Sequence, residues 1–545
     1  MTDDTRRHLR AATIIWMVSV AASRLAGLLR EMVIARVAGA DAHTDVYFAA
    51  FTLPDFLNYL LAGGALSVTF IPIFLGFILR KEEDRAWRVF HTVFRLTLVS
   101  LAVLLLVGWV AAPFVCRKWI APGFDPEQQR LLVRYTRILL PAQLCFFAGG
   151  LFGAVQMARG RHGTYASAAL IYNFGIIAGG LLLGPRLGME GFCWGALAGA
   201  FLGHGLLQWI GASRAGLRLA PTLSWRDPTV QLWLRLTLPF MIGQSILATD
   251  DWLQRYFGSD LSAASISWLN YGKRLVLVLP AVLGQASAVA SFPLLASHAE
   301  SGQLGTMRAT LSSALERALL VSGFGAILMI VLNREVVQVA FGRGAFSTSD
   351  VLTTGRVVAI LAVSAPALVA QAILVRGYYA LRDTATPTII GTVITLGAIP
   401  FYVSMARWFN DPTAARGGGH LGLAWASTLS LLLYGFLTAL LLQRGLNRRD
   451  PTAGTLVPMG FVWRSLPVLA VTLVVAALVR GGVGSWLPEM AFLPAIGRSL
   501  LVVPVALVVF LVGCRLAGLR AVLDPVTRLF ARFRRGPVAP PGGVR

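Results

Sequence analysis

Runs of about 20 apolar residues recur along the whole chain, with polar breaks too short to hold a soluble domain. About fourteen can be drawn, at 11–37, 47–79, 90–115, 131–157, 164–184, 189–212, 230–257, 262–296, 308–341, 352–380, 386–406, 420–443, 460–480 and 493–517. Lipid offers backbone N–H and C=O groups no partner, so each run must satisfy its own backbone as a helix. Of the 545 residues, 56% are hydrophobic and 13% charged, about half the charged fraction of a soluble chain. An all-α polytopic membrane protein is expected. The start of the chain is basic and has small residues at Ala21–Ser23, as a cleaved leader would. Helical apolar spacing continues past Arg24 without a turn signal, so a first span is expected instead.

The formal net charge of +23 would point a soluble protein towards nucleic acid; here basic loops set topology. Lysine and arginine concentrate in RKEEDRAWR (80–88), ARGRHG (158–163), RAGLRLAPTLSWRD (214–227), RGLNRRD (444–450) and the tail from Arg520. ADAHTD (40–45), GPRLGME (184–190) and GSDLS (258–262), which alternate with them, are poorer in cations. Both termini are therefore expected in the cytoplasm, although RKWIAPGFDPEQQR (117–130) is a basic stretch on the outer side.

A faint repeat organises the chain. GAVQMARGRHGTYASAALIYN (153–173) and GYYALRDTATPTIIGTVIT (377–395) each close one span, turn at a basic hinge and open the next with Thr and small residues. This predicts a six-span lobe over 1–225, a second over 226–446, two further spans over 447–519 and a basic tail over 520–545. Parallel halves around a midplane site are a recurring transporter plan. Gly191, Gly195, Gly199 and Gly203 recur every fourth residue, which predicts a face where helix backbones touch.

Charges inside the spans carry the chemistry. At 1.5 Å per residue, 11–37 would be about 40 Å long, more than the roughly 30 Å that a bilayer core requires. Arg24 then lies near mid-membrane and Arg30 towards the outer leaflet, while Arg36 reaches the interface and can snorkel. A cation near the bilayer centre costs about 2.5–3.5 kcal/mol on insertion scales. Arg24 and Arg30 point about 120° apart on a straight helix, so a bend at Gly27 is expected to turn both towards one cavity. Lys273 and Arg274 interrupt a second span, and Asp250, Asp251 and Arg255 cluster near the outer end of another. Pairing of Arg255 with Asp250 or Asp251 would make that last cluster purely structural. Around Arg24, Arg30 and Arg274 the cations outnumber obvious carboxylate partners. A guanidinium fork suits phosphate, so a cavity for an anionic, phosphate-bearing substrate is expected.

Several chemistries lack their residues. The sequence has no P-loop, HExxH or GxSxG; its seven histidines and four cysteines are scattered, so neither a metal nor a nucleotide cofactor is expected. Asp250–Asp251 lies in an apolar helix rather than at a membrane surface, which disfavours a metal-dependent glycosyltransferase.

The stretch SRLAGLLREMVIARVAGADAHTDVYFAAFTLPDFLNYLLAGGALSVTFIPIF (23–74) resembles the opening of the MurJ/MviN family, the lipid II flippases of peptidoglycan synthesis. APGFD (121–125), SWLNYGKRLVLVLP (267–280), FGRGAFSTSD (341–350) and GYYALRDTATPT (377–388) continue the likeness in family order. The resemblance implies a fourteen-helix fold of the multidrug/oligosaccharidyl-lipid/polysaccharide exporter superfamily. Two six-helix lobes would flank a V-shaped cavity, and the last two helices would form a groove for a lipid tail. It implies movement of undecaprenyl-diphosphate-linked disaccharide-pentapeptide from the inner to the outer leaflet by alternating access. Arg24, Arg30 and Arg274 match the family's cavity arginines and Asp45 its functional aspartate. Asn58, Gly63 and Leu277 stand where the family ordinarily has an arginine and two glutamates.

On this reading Arg24, Arg30 and Arg274 grip the diphosphate, with Asn58 and Ser267 donating hydrogen bonds to the head group. Asp45 pairs with an arginine when the site is empty or the outer gate closes. Gly27 and Pro280 serve as hinges, and Asp250, Asp251 and Asp383 are candidate cation or coupling sites. The expected setting is a bacterial inner membrane, with no cofactor and with coupling to the membrane potential or a monovalent cation. Expected partners are lipid II, membrane lipids and cell-wall synthesis proteins, and no nucleic acid. Competing readings are a flippase for another lipid-linked oligosaccharide, a drug exporter, and a scaffold for cell-wall enzymes.

Overall fold

The computed structural model describes residues 22–62, 70–161, 163–218, 220–223, 225–245, 249–410, 418–451, 454–484 and 491–519. Gly63 and the basic tail 520–545 lie outside them. Regular structure among the described residues is helical throughout. Among the described residues, eight helices are long and apolar enough to cross a membrane. The pair Thr348–Ala362 and Ala365–Ala380, bent by 42°, passes the same length and composition test together and counts as a ninth if it is one span. The bend has a local cause: Pro366 carries no N–H for the carbonyl one turn back, and the Ser364 hydroxyl donates to the Leu361 carbonyl at 2.7 Å. The other five expected spans do not register as single apolar helices. Those at 11–37, 47–79 and 230–257 run through residues outside the described set. Met189–Arg214 is helical but diluted by glycines, His204 and Gln208, and 262–296 is interrupted at Lys273, Arg274 and Leu277.

The chain forms two compact units. The first comprises residues 1–271, 341–350 and 399–423, and the second 272–340, 351–398 and 424–545.

In the first unit, loop chemistry sets where helices begin. Asp125 opens Pro126–Leu139 with a capping box: its carboxylate accepts from the Glu127 and Gln128 N–H groups at 2.9 Å, and Gln128 answers the Asp125 N–H. Asp41 caps Ala42–Ala50 through the Thr44 N–H and hydroxyl, both at 2.8 Å. The core is aromatic, with Phe70, Phe74, Trp87, Phe90 and Phe147 buried together.

The glycine stripe does what its spacing predicts. Helix 163–187 packs against Met189–Ala200 and the π-helical turn Phe201–Leu207 that follows. A Cβ at Gly195 would sit 2.4 Å from the Gly175 carbonyl oxygen, and one at Gly203 would sit 2.6 Å from the Ala168 carbonyl oxygen. These contacts are backbone against backbone, so no side chain can move aside.

In the second unit, helix Leu304–Val331 packs against both Ala365–Ala380 and Met459–Gly484. Phe324 stacks on Phe510 with ring centroids 4.8 Å apart, tying the C-terminal helix pair to the unit. An ion triad reinforces the tie. Glu335, 1% exposed, accepts from Arg480 Nε at 3.0 and 3.2 Å and lies 3.4 Å from Nη1 of Arg498, which is 2% exposed. Large apolar side chains cover the outside, as lipid requires: Leu493 and Leu516 are 76% and 85% exposed.

Two outcomes are expected on thermal unfolding in detergent. Gly195→Val destabilises by about 1–3 kcal/mol through overpacking, whereas Gly205→Ala, whose nearest neighbour is the Cys145 sulfur at 3.7 Å, is tolerated. Glu335→Ala costs about 3–5 kcal/mol because it strands a buried guanidinium; Arg480→Ala, which keeps the Glu335–Arg498 pair, costs less.

Candidate functional site

The first unit holds most of the residues singled out from sequence. Helix 22–38 runs through Gly27 without a break in its hydrogen bonding. A Cβ at Gly27 would meet only the Asn173 side-chain oxygen, at 3.9 Å. Arg24 is exposed on this helix. Arg30 is held: Nη2 donates to Glu31 at 2.5 Å and Nη1 to Asn173 Oδ1 at 3.2 Å. Asn173 in turn donates to the Ala169 carbonyl at 2.8 Å, which fixes the amide's direction.

The helix ends in a clasp. Gly39, at φ +72°, carries the chain out of the helix, and its N–H donates to the Ala35 carbonyl at 2.8 Å. The segment 341–350 closes on this end. The Ala345 N–H donates to the Arg36 carbonyl at 2.9 Å, and Gly344, at φ +68°, sits so close that a Cβ would lie 2.2 Å from that oxygen. The Tyr271 hydroxyl donates to the Gly39 carbonyl at 3.0 Å, with its ring against Phe341 and Phe346.

Asp45 lies at the centre of the same end of the unit. Pairing with an arginine is the sequence-based expectation when the site is empty or the outer gate closes; here its buried carboxylate accepts from the Ser267 N–H at 2.7 Å and the Ser267 hydroxyl at 2.5 Å. Ser267 lies in the first turn of Ser265–Val276, where backbone N–H groups have no intrahelical acceptor and the helix dipole favours an anion. The carboxylate therefore acts as a cap supplied from elsewhere in the chain. Ser267, expected to face the head group, is engaged by Asp45. One residue on, the Trp268 indole donates to Asp350 at 3.1 Å, and Asp350 also accepts from the Ser347 N–H at 3.0 Å.

The acidic cluster is wired differently from its expected pairing. Arg255 is buried and reaches across to Thr52 Oγ1 at 3.0 Å and to the Asp55 carboxylate at 3.8 Å, rather than to Asp250 or Asp251. On helix Thr249–Gly258, position 255 follows 251 by four residues, but a closer hydroxyl and carboxylate come from Thr52–Ala62. Asp250 accepts from the Tyr402 hydroxyl and, at 3.0 Å, from Gln254. Asp251 is half-buried one position along.

Asn58 lines a cavity of about 300 Å³ with Asp55, Gln143, Phe51, Phe146 and Tyr172 among its walls. Its Nδ2 donates to Gln143 Oε1 at 3.1 Å. Gln143 and Asn173 were not singled out from sequence. Each is an amide inside an apolar run, and that isolation is the signal that marks them.

Three expected residues belong to the second unit. Arg274 is exposed near the end of Ser265–Val276. The helix breaks at Leu277, and Pro280 opens a π-helical turn to Gly284. Proline lacks the N–H that would reach the carbonyl four residues back, so a discontinuity there follows from sequence. Asp383 caps helix 385–409, accepting from the Thr386 N–H at 2.9 Å and its hydroxyl at 2.6 Å.

A bundle of membrane-length helices with charged side chains lodged among them defines a multi-pass membrane protein. Comparison with known proteins places it further. The model of the family described as lipid II flippase MurJ matches residues 34–496; the chain belongs to the MurJ family. It is 29% identical over 450 residues to a probable lipid II flippase MurJ from Haemophilus influenzae, covering 78% of this chain and 84% of that one. It is 28% identical over 478 residues to the lipid II flippase MurJ of Burkholderia cenocepacia, covering 85% and 87%. Among solved structures, a lipid II flippase MurJ in an inward closed conformation superposes with a TM-score of 0.74 at 19% identity, covering 92% of this chain and 98% of that one. An inward-facing multidrug resistance MATE family transporter gives 0.65 at 12%, covering 81% and 99%. These likenesses carry the fold.

Asp45→Ala is expected to cost about 1.5–3 kcal/mol, the range for hydrogen bonds to a charged group, and to lower the unfolding temperature in detergent. Asp45→Asn keeps the acceptor oxygen and loses less; Ser267→Ala keeps the backbone donor and lies between wild type and Asp45→Ala.

Proposed function

We propose that this protein moves lipid II, the undecaprenyl-diphosphate-linked disaccharide-pentapeptide, from the inner to the outer leaflet of a bacterial cytoplasmic membrane. Membership of the MurJ family supports the substrate. The observation that carries the mechanism is Arg30: a guanidinium in an apolar helix, steadied by Glu31 and Asn173. Such a group suits a diphosphate because its planar fork makes parallel charge-assisted hydrogen bonds. Arg24 and Arg274, both exposed, complete the proposed diphosphate grip.

In this reading 1–225 and 226–446 act as two lobes that alternate access, and 447–519 supply a groove for the polyprenyl tail. Both termini lie in the cytoplasm. The hydrogen bonds of Asp45 to Ser267 hold the outer end shut, and releasing them opens the path outward. Pro280, where a helix already breaks, is the hinge. A membrane potential supplies roughly 2.3 kcal/mol per charge per 100 mV, enough to bias such a cycle. Asp250, Asp251 or a monovalent cation bound near them would couple to it; Asp383, engaged as a helix cap, is the weakest of the three. Cell-wall synthesis proteins are the proposed protein partners.

Complementation tests this directly, in a bacterium depleted of its own lipid II flippase and at matched expression. Wild type is expected to restore growth and cell shape, and Arg24→Ala and Arg274→Ala to fail. Rescue by all three would refute the diphosphate grip. Failure of membrane-inserted wild type would refute lipid II as the substrate and favour a different lipid-linked glycan, for which the neutral Asn58 is the first residue to examine.

A further inference from the structure

The cavity around Asn58 has a chemistry distinct from that of Arg30. It lies wholly within the first unit. Its described lining carries one carboxylate, Asp55, and no cation, although Arg255 approaches Asp55 at 3.8 Å. Asn58 and Gln143 face each other across a single amide–amide hydrogen bond of 3.1 Å. Each amide has more donors and acceptors than that bond consumes. Phe51, Phe146 and Tyr172 add aromatic walls, the last two edge to face at 5.0 Å. The position is equally specific: Tyr172 precedes Asn173, the residue that holds Arg30 at 3.2 Å.

We propose that this cavity is a saccharide subsite that receives one N-acetylated pyranose of the head group while Arg30 holds the neighbouring phosphate. A pyranose presents hydroxyl and acetamido groups around its edge and C–H groups on its faces. Paired amides with a carboxylate match the edge, and aromatic rings match the faces. With a carboxylate and no cation among its described lining residues, the cavity disfavours a phosphate relative to a neutral sugar, so the two ends of the head group are sorted by charge. At about 300 Å³ the cavity is at the small end of ligand sites, which suits one sugar ring rather than a pentapeptide. The inference rests on the proposed function, and names which part of that substrate the cavity reads.

The test uses purified full-length protein and three probes: undecaprenyl diphosphate, the same lipid bearing the peptide-free disaccharide, and complete lipid II. Affinities are read by native mass spectrometry for wild type and for the double variant Asn58→Leu/Gln143→Leu. Replacing both amides together leaves no stranded polar partner, so the fold is retained; its unfolding temperature is checked alongside. Wild type is expected to bind the disaccharide-bearing lipid about tenfold more tightly than the bare lipid, the equivalent of one or two hydrogen bonds. The double variant is expected to lose that gain and to hold bare undecaprenyl diphosphate as wild type does. A sugar-dependent gain that persists in the double variant overturns the subsite. A gain that appears only with the peptide-bearing lipid, and disappears in the variant, also overturns it, in favour of a peptide site. Failure of wild type to bind any of the three would instead overturn the flippase reading itself, a result separable from both.

Discussion

A guanidinium in an apolar helix needs a partner, and much of the architecture around this protein's spans follows from supplying one. Arg30 is met by Glu31 and Asn173, Arg255 by Thr52 and Asp55, and Arg480 with Arg498 by Glu335. Water cannot serve these groups in lipid, so each cation recruits a carboxylate, hydroxyl or amide from a helix that would otherwise be free to slide. Apart from Glu31, which neighbours Arg30 on its own helix, the partners come from positions distant in sequence, which makes those pairs a constraint on how the chain folds. The cations that are costly to place in lipid thus also register the helices.

The same economy appears at the clasped end of the first unit. There the carboxylate of Asp45 satisfies the opening turn of Ser265–Val276, and two glycines at positive φ let 36–39 and 344–345 approach backbone to backbone. A cap supplied across the fold differs from a local one such as Asp41 or Asp125. A local cap holds a helix start; a distant one holds two segments of chain together, and can let go without unwinding either. Such bonds can be exchanged at lower cost than a buried ion pair, which is the property that the proposed gating role of Asp45 requires.

Much of the fold was legible beforehand. Apolar run length announced helices because lipid leaves the backbone no alternative. Four glycines at a spacing of four announced the backbone contact that 175–179 and 191–203 make, since that period places them on one face. Pro280 announced a break, and Arg24, Arg30 and Arg274 stood out by their cost. The partners were not legible. Arg255 had two carboxylates nearby on its own helix, yet it is bonded to residues two hundred positions away; Asp45 was assigned an arginine and found Ser267. Gln143 and Asn173, which complete the cavity and orient Arg30, were passed over.

The sequence by itself therefore determined the helical membrane class, the approximate position of the spans that register among the described residues, the glycine face on which two helices meet backbone to backbone and the side chains costly to place in lipid. Those properties are local: they depend on run length, periodicity and the transfer cost of one residue. Only the tertiary structure decided which group answers each charge, which helix start Asp45 caps, and that Asn58 shares a cavity with Asp55, Gln143 and three aromatic rings. These depend on which helix faces meet. Many pairings cost the unfolded chain the same, and packing selects among them.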